Sequence, residues 1–320
     1  MSAPVQDDEW VLSAVRGDAA TLVLLADEER GEEQAAGLVA ILAQGDRANE
    51  CIVTSTRATL DPAQKRPPFV LGEPPFVDAI AVDGDRFLAV SRELAGERRA
   101  FVAEIDGVAI RARYVPELDD KEIHGTLRMT HDGRGGAWIV YASRGALEAA
   151  RVSARGIEAG PFVIATAPDA FAIAAMPKGR LMIVTSAMQM LVVDDDGFVT
   201  MQRELLDANV AQPSLAIDDD EVVIAWKDAR ALRVGTWTLD GECVSAPREF
   251  VRDCSEPRIT RERIAWRCGD ATLHAASLPE LRNVTTIESR SRIRFFTLAS
   301  DALLWSEGSN ASLHERKLNQ

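Results

Sequence analysis

Two stretches crowd carboxylates together: IDDDEVVIAWKD at 217–228 and VVDDDGFV at 192–199. Runs of aspartate suit two kinds of chemistry. Oxygen-rich loops bind calcium, and short Asp side chains also bond their own backbone to make turns. A helix–loop–helix calcium site needs alternating ligands, a glycine at the sixth position and a glutamate at the twelfth. Neither stretch has that pattern. Both are read as turns, and no metal ion or other cofactor is expected.

The remaining reactive side chains are scattered. Four histidines, His124, His131, His274 and His314, show neither HExxH spacing nor a nucleophile with a third partner beside it. No GxSxG elbow, P-loop or dinucleotide fingerprint occurs, and the glycines of GRGGAW (133–138) lead into an apolar run of strand type. No residue is singled out as catalytic. Cys51, Cys243, Cys254 and Cys268 form no CxxC pair and are read as free thiols, with a Cys254–Cys268 bridge as the open alternative.

Cations give the one recurring chemical pattern. Arg92 in SRE, Arg144 in SRG, Lys227 and Arg230 in KDAR, and Arg267 in RCGD each follow a bulky apolar run. Arg252, Arg290 and Arg292 lie in polar connections further on. Guanidinium forks suit carboxylates and phosphates, so Arg92, Arg144, Lys227, Arg230, Arg267, Arg290 and Arg292 are the candidate partner-binding residues. The competing reading pairs them with adjacent acids such as Glu93, Asp228, Asp253 and Asp270.

The chain that must position these groups has 320 residues, 47% hydrophobic and 27% charged, as in ordinary globular proteins. Its net charge of −14 disfavours general binding to nucleic acid or an anionic membrane. The first residues lack a basic segment followed by an apolar one, and no apolar run reaches membrane-helix length. A cytoplasmic location is therefore expected.

From residue 76 onward, short apolar runs alternate with Asp, Gly and Pro, which is strand-and-turn punctuation. The runs repeat. Aligning AIAVDGDRFLAVSRE, GGAWIVYASRG, KGRLMIVTSA, DDEVVIAWKDAR, RERIAWRCGD and SDALLWSEG places Val90, Tyr141, Val184, Trp226, Trp266 and Trp305 in register. The steps between them are 51, 43, 42, 40 and 39 residues. Each unit reads as four strands, and four strands in about 40–45 residues mark a β-propeller blade. The tryptophans are then packing residues between blades.

Residues 21–72 supply one more unit from TLVLLAD, GLVAILAQ, ECIVTSTRA and PPFVLG, with Leu42 at the bulky place. The expectation is a single all-β domain over 1–320: a propeller of seven four-stranded blades, with six as the alternative. The last unit shows only three strands, so EWVLSAVR (9–16) is expected to close it and remove an open sheet edge.

The units resemble the β-propeller superfamily over nearly the whole chain. The signature of an apolar run, Trp, a cation and Asp is similar to repeats of sialidase-like and other bacterial propellers. The S-x-D-x-G-x-T-W turn of sialidases is absent, as is the Gly-His and Trp-Asp pairing of WD repeats. No catalytic residue carries over from either.

The favoured function is a non-enzymatic interaction module or scaffold that binds a protein partner through one end of the ring, with the arginine-rich face as the candidate surface. The alternative is a hydrolase or lyase acting on a sugar or other small molecule at the central channel. That reading needs polar groups on the inner strands. Those runs are read as apolar or small apart from His124, Arg128 and His131, which counts against it.

Overall fold

The computed structural model describes residues 9–27, 37–44, 51–55, 77–92, 100–106, 109–118, 123–308 and 312–318. They form antiparallel meanders in which each strand pairs with the next one in the chain. The first sheet is β1 (Glu9–Arg16), β2 (Ala20–Asp27), β3 (Gly37–Gln44) and β4 (Cys51–Ser55). The second is β5 (Val77–Asp83), β6 (Arg86–Arg92), β7 (Ala100–Asp106) and β8 (Ala109–Tyr114). The third is β9 (Ile123–His131), β10 (Ala137–Ser143), β11 (Ala146–Ser153) and β12 (Gly156–Thr166). The fourth is β13 (Phe171–Ala175), β14 (Leu181–Thr185), β15 (Gln189–Val193) and β16 (Val199–Glu204). The fifth is β17 (Ala211–Asp218), β18 (Glu221–Asp228), β19 (Ala231–Thr238) and β20 (Cys243–Arg252). The sixth is β21 (Cys254–Ile259), β22 (Arg263–Cys268), β23 (Thr272–Ser277) and β24 (Arg282–Glu288). A three-stranded sheet follows, from β25 (Ile293–Leu298), β26 (Ala302–Glu307) and β27 (Ser312–Lys317).

The first strands of successive sheets are neighbours around a ring, and β25 returns to lie beside β1. The fold is a β-propeller. Burial follows from that geometry. In the fourth blade β14 is wholly buried, β15 nearly so, and the outer β16 is largely exposed. Middle strands are covered on both faces by neighbouring blades and carry continuous apolar runs; the outer strands meet water.

Side chains alternate between the two faces at period two. Ile139 and Tyr141 of β10 pack toward Leu88 and Val90 of the second blade. Trp138 and Val140, one residue out of phase, pack toward Leu181 and Ile183 of the fourth. Trp226 sits against Val184 and Met190 of the fourth blade and beside Trp237, with ring centroids 6.0 Å apart. Trp266 joins a cluster with Ala225 and Leu232 of the fifth. The repeated bulky residues fill the space between blades, as their periodicity implies.

Two expectations need correction. Six sheets have four strands, rather than seven. The strand EWVLSAVR does not close the last sheet; as β1 it pairs with β2 and is the innermost strand of the first blade. The unit expected over 21–72 is thus shifted by one strand. Leu42 falls on β3, and PPFVLG lies outside the described residues. The cause is local. Only Gly17, Asp18 and Ala19 separate β1 from β2, and the Gly17 N–H bonds the Ala20 carbonyl at 2.8 Å. Closing so short a loop costs far less entropy than pairing with a strand from the far end of the chain. Asp85 of the next blade fixes the turn by accepting the N–H groups of Ala19 and Ala20 at 2.9 and 2.8 Å.

The aspartate runs are turns. Asp218 and Glu221 face each other across the β17–β18 hairpin, with Asp219 at φ +49°. Arg261, in the corresponding turn of the sixth blade, pairs with Asp218 and with Asp219 (3.1 Å). In VVDDDGFV, Asp194 accepts the N–H groups of Asp196 at 3.1 Å and Phe198 at 2.8 Å. Gly197 takes φ +87°, a conformation that side chains strain.

Cys254 and Cys268 are directly opposite across β21 and β22 and form a disulfide, so the free-thiol reading fails for this pair. A sequence separation of 14 hid an adjacency that only the hairpin register creates.

Candidate functional site

The candidate cations stand at one end of the ring, where hairpins between second and third strands meet the connections between blades. Backbone hydrogen bonds tie the two sets of loops together. Ala167 N–H bonds the Gly145 carbonyl at 2.9 Å, Asp253 N–H that of Arg230 at 2.6 Å, and Ile293 N–H that of Asp270 at 2.7 Å.

Within that end the structure sorts the seven cations. Arg144 and Gly145 form a two-residue turn with φ of +49° and +79°, the positive pair that matches strand twist, and the Arg144 side chain is exposed. Arg230 and Arg290 are exposed in their loops. Lys227 is half-buried near the end of β18. Arg292 faces Asp270 at 3.9 Å, a loose pair in which both side chains stay mostly exposed. Arg92 ends β6, but its side chain lies outside the described residues, as does Glu93.

Arg267 differs from the rest. Its guanidinium pairs with Glu256 and donates to the Ile293 carbonyl at 3.0 Å. It braces the sixth blade against the three-stranded sheet and is largely covered by protein. Arg252 likewise pairs with Glu249, at 2.5 Å. Arg252, Arg267 and Arg292 thus each face a carboxylate, while Arg144, Arg230 and Arg290 are exposed in their loops.

Two of the histidines act in packing. His274 stacks on Trp266 and His314 on Trp305, with ring centroids 5.4 and 5.2 Å apart, each across a second–third strand pair. His131 is exposed at the end of β9, and the side chain of His124 lies outside the described residues.

A second arrangement occupies the centre of the ring. A cavity of about 270 Å³ is lined from every inner strand, including Ser13, Asp78, Arg128, Ser214, Arg258 and Phe296. Asp78 accepts the N–H of Met129 at 2.8 Å and its neighbour Ala79's N–H at 3.0 Å, with the Ser13 hydroxyl as a third donor. Burial pushes its carboxyl above the ordinary range despite Arg128 and these donors. Arg258 lies over the Phe296 ring at 5.5 Å. Burial lowers its pKa, and the like charge of Arg128 lowers it further.

Of these groups only Arg128 stands out in the sequence as a polar residue of an inner run. Asp78 and Arg258 sit in the inner runs judged apolar or small. The signal was present: a charge inside an inner strand is expensive unless it faces a polar channel.

The class defined by this fold and ring of inner strands is a β-propeller. No family model matches the chain, and no curated protein matches it. Solved structures do. The propeller domain of the trilobed protease from Pyrococcus furiosus, which has an open Velcro topology, superposes with a TM-score of 0.60 at 6% identity, covering 98% of this chain and 96% of that one. The WD40 domain of Toxoplasma gondii coronin gives 0.54 at 10% identity, covering 97% and 84%. Sqt1 of Saccharomyces cerevisiae gives 0.51 at 8%, covering both chains fully. At these identities the likeness is one of fold. Among the described residues no helix is long and apolar enough to cross a membrane.

Proposed function

We propose that this protein is a non-enzymatic interaction module that binds a protein partner through the end of the ring bearing Arg144, Arg230 and Arg290. The observation that carries this reading is their shared exposure on loops held by backbone bonds to a rigid scaffold. Binding residues are characteristic of such loops. WD40 domains among the similar folds are consistent with it, and an acidic partner surface complements the guanidiniums.

The alternative, an enzyme working in the channel, is weakened by Asp78. Its carboxylate is committed to two backbone N–H groups and a hydroxyl, an arrangement that holds strands together rather than one that frees a base. The cytoplasmic assignment conflicts with the Cys254–Cys268 bridge, since reducing compartments keep thiols open. We retain the cytoplasm as the proposal, and the redox state of this pair in cells decides it.

A photo-crosslinking residue placed at 144, 230 or 290, compared with positions 219 and 240 in turns at the opposite end, tests the binding face. Protein adducts confined to the first set are expected. Equal yields from both ends, or adducts from 219 and 240 alone, would sink the proposal.

A further inference from the structure

The centre of the ring holds more positive than negative charge, and that imbalance has a chemical use. Arg128 on β9 and Arg258 on β21 come from opposite parts of the ring and both line the central cavity with Asp78. They are close enough for Arg258 to feel the charge of Arg128 and of Asp78, and also that of Glu256, which is itself paired with Arg267. Neither has a carboxylate at ion-pair distance among the described residues. Arg258 has only a long bond to the Pro257 carbonyl, at 3.4 Å, and its contact with the Phe296 ring. The oxygens of Asp78 are already engaged by Met129, Ala79 and Ser13, so Asp78 fixes strands, while Arg128 and Arg258 line the cavity.

Two guanidiniums against one carboxylate in the lining of the cavity attract an anion. The other walls mix apolar side chains, Phe295, Phe296, Leu215, Ile173 and Met129, with the polar Ser13, Ser214 and Thr297. The cavity is smaller than the roughly 300–1,000 Å³ of sites for drug-sized ligands. We infer that the central channel is a binding site for a small monocarboxylate, its carboxylate held by Arg128 and Arg258. A planar carboxylate suits the fork geometry of arginine. This site is separate from the partner-binding end and stands without it.

The test is calorimetric titration of the full chain with sodium benzoate, with inorganic phosphate in a parallel titration. Saturable binding of one benzoate per chain is expected, with phosphate weaker. Arg128→Met and Arg258→Met should each weaken benzoate by about tenfold or more, the usual effect of losing a charge-assisted contact. Arg155→Met, in an exposed turn outside the channel, should not change it. Should a methionine variant fail to fold, Arg128→Lys and Arg258→Lys keep the charge without the fork and should weaken benzoate by about fivefold. No saturable benzoate binding by the wild-type chain at about 10 mM overturns the inference, as does affinity unchanged in the channel variants. Phosphate binding more tightly than benzoate overturns the assignment to a carboxylate.

Discussion

Met129 donates its backbone N–H to Asp78 across 2.8 Å, joining the inner strand of the third blade to that of the second. Inner strands of a propeller do not share a sheet, so their backbone groups need other partners. A carboxylate that reaches sideways supplies one. The same residue is placed in a shielded site, where its ionised form is costly.

That cost has a pH signature. The folded-state pKa of Asp78 is raised, so between its ordinary value near 4 and its raised value the native state holds a proton the unfolded chain has lost. This contribution makes stability fall as pH rises through that window. Melting temperatures across mildly acidic pH should show the decline in the wild type and a flatter profile in Asp78→Asn. Identical profiles would contradict it.

Asp132 should be among the most sensitive positions. It is buried in the β9–β10 turn, accepts the N–H groups of Arg134 and Gly136 at 2.8 and 2.9 Å, and pairs with Arg151 at 3.2 Å. Asp132→Ala leaves those groups short of a partner and should cost about 3–5 kcal/mol in denaturant unfolding. Asp132→Asn keeps an acceptor and should cost less.

Arg267 is predicted to act in stability. Replacing it with alanine strips Glu256 of its cation and the Ile293 carbonyl of its donor, for an expected loss of about 2–3 kcal/mol. Arg230→Ala, at an exposed turn, should change stability by less than about 0.5 kcal/mol. Equal effects in thermal unfolding would refute this division.

The disulfide predicts a labelling pattern. Alkylation under native, non-reducing conditions should mark the exposed Cys243 and spare Cys254 and Cys268, with both becoming reactive after reduction. Peptide mass spectrometry reads this directly. Changing both half-cystines to alanine should lower stability by about 2–3 kcal/mol, as expected for a loop of this length.

Turn chemistry was legible because it is local. Asp219, Asp194 and Gly197 do what their types suggest whatever surrounds them. The tryptophan period was legible because every middle strand meets the same environment. Blade phase was not, since each hairpin of a meander has the same punctuation and only burial tells an inner strand from its neighbour. EWVLSAVR, assigned to the far end of the chain, was captured instead by the strand a three-residue turn away.

By itself the sequence determined an all-β repeat, its spacing and its turns, all set within a few tens of residues by alternation and by Asp and Gly. The tertiary structure alone decided which strands face the axis. It brought Asp78, Arg128 and Arg258 from three separate blades to one cavity and drew Arg267 inward to Glu256. Those outcomes depend on closing a ring, which no local stretch of the chain encodes.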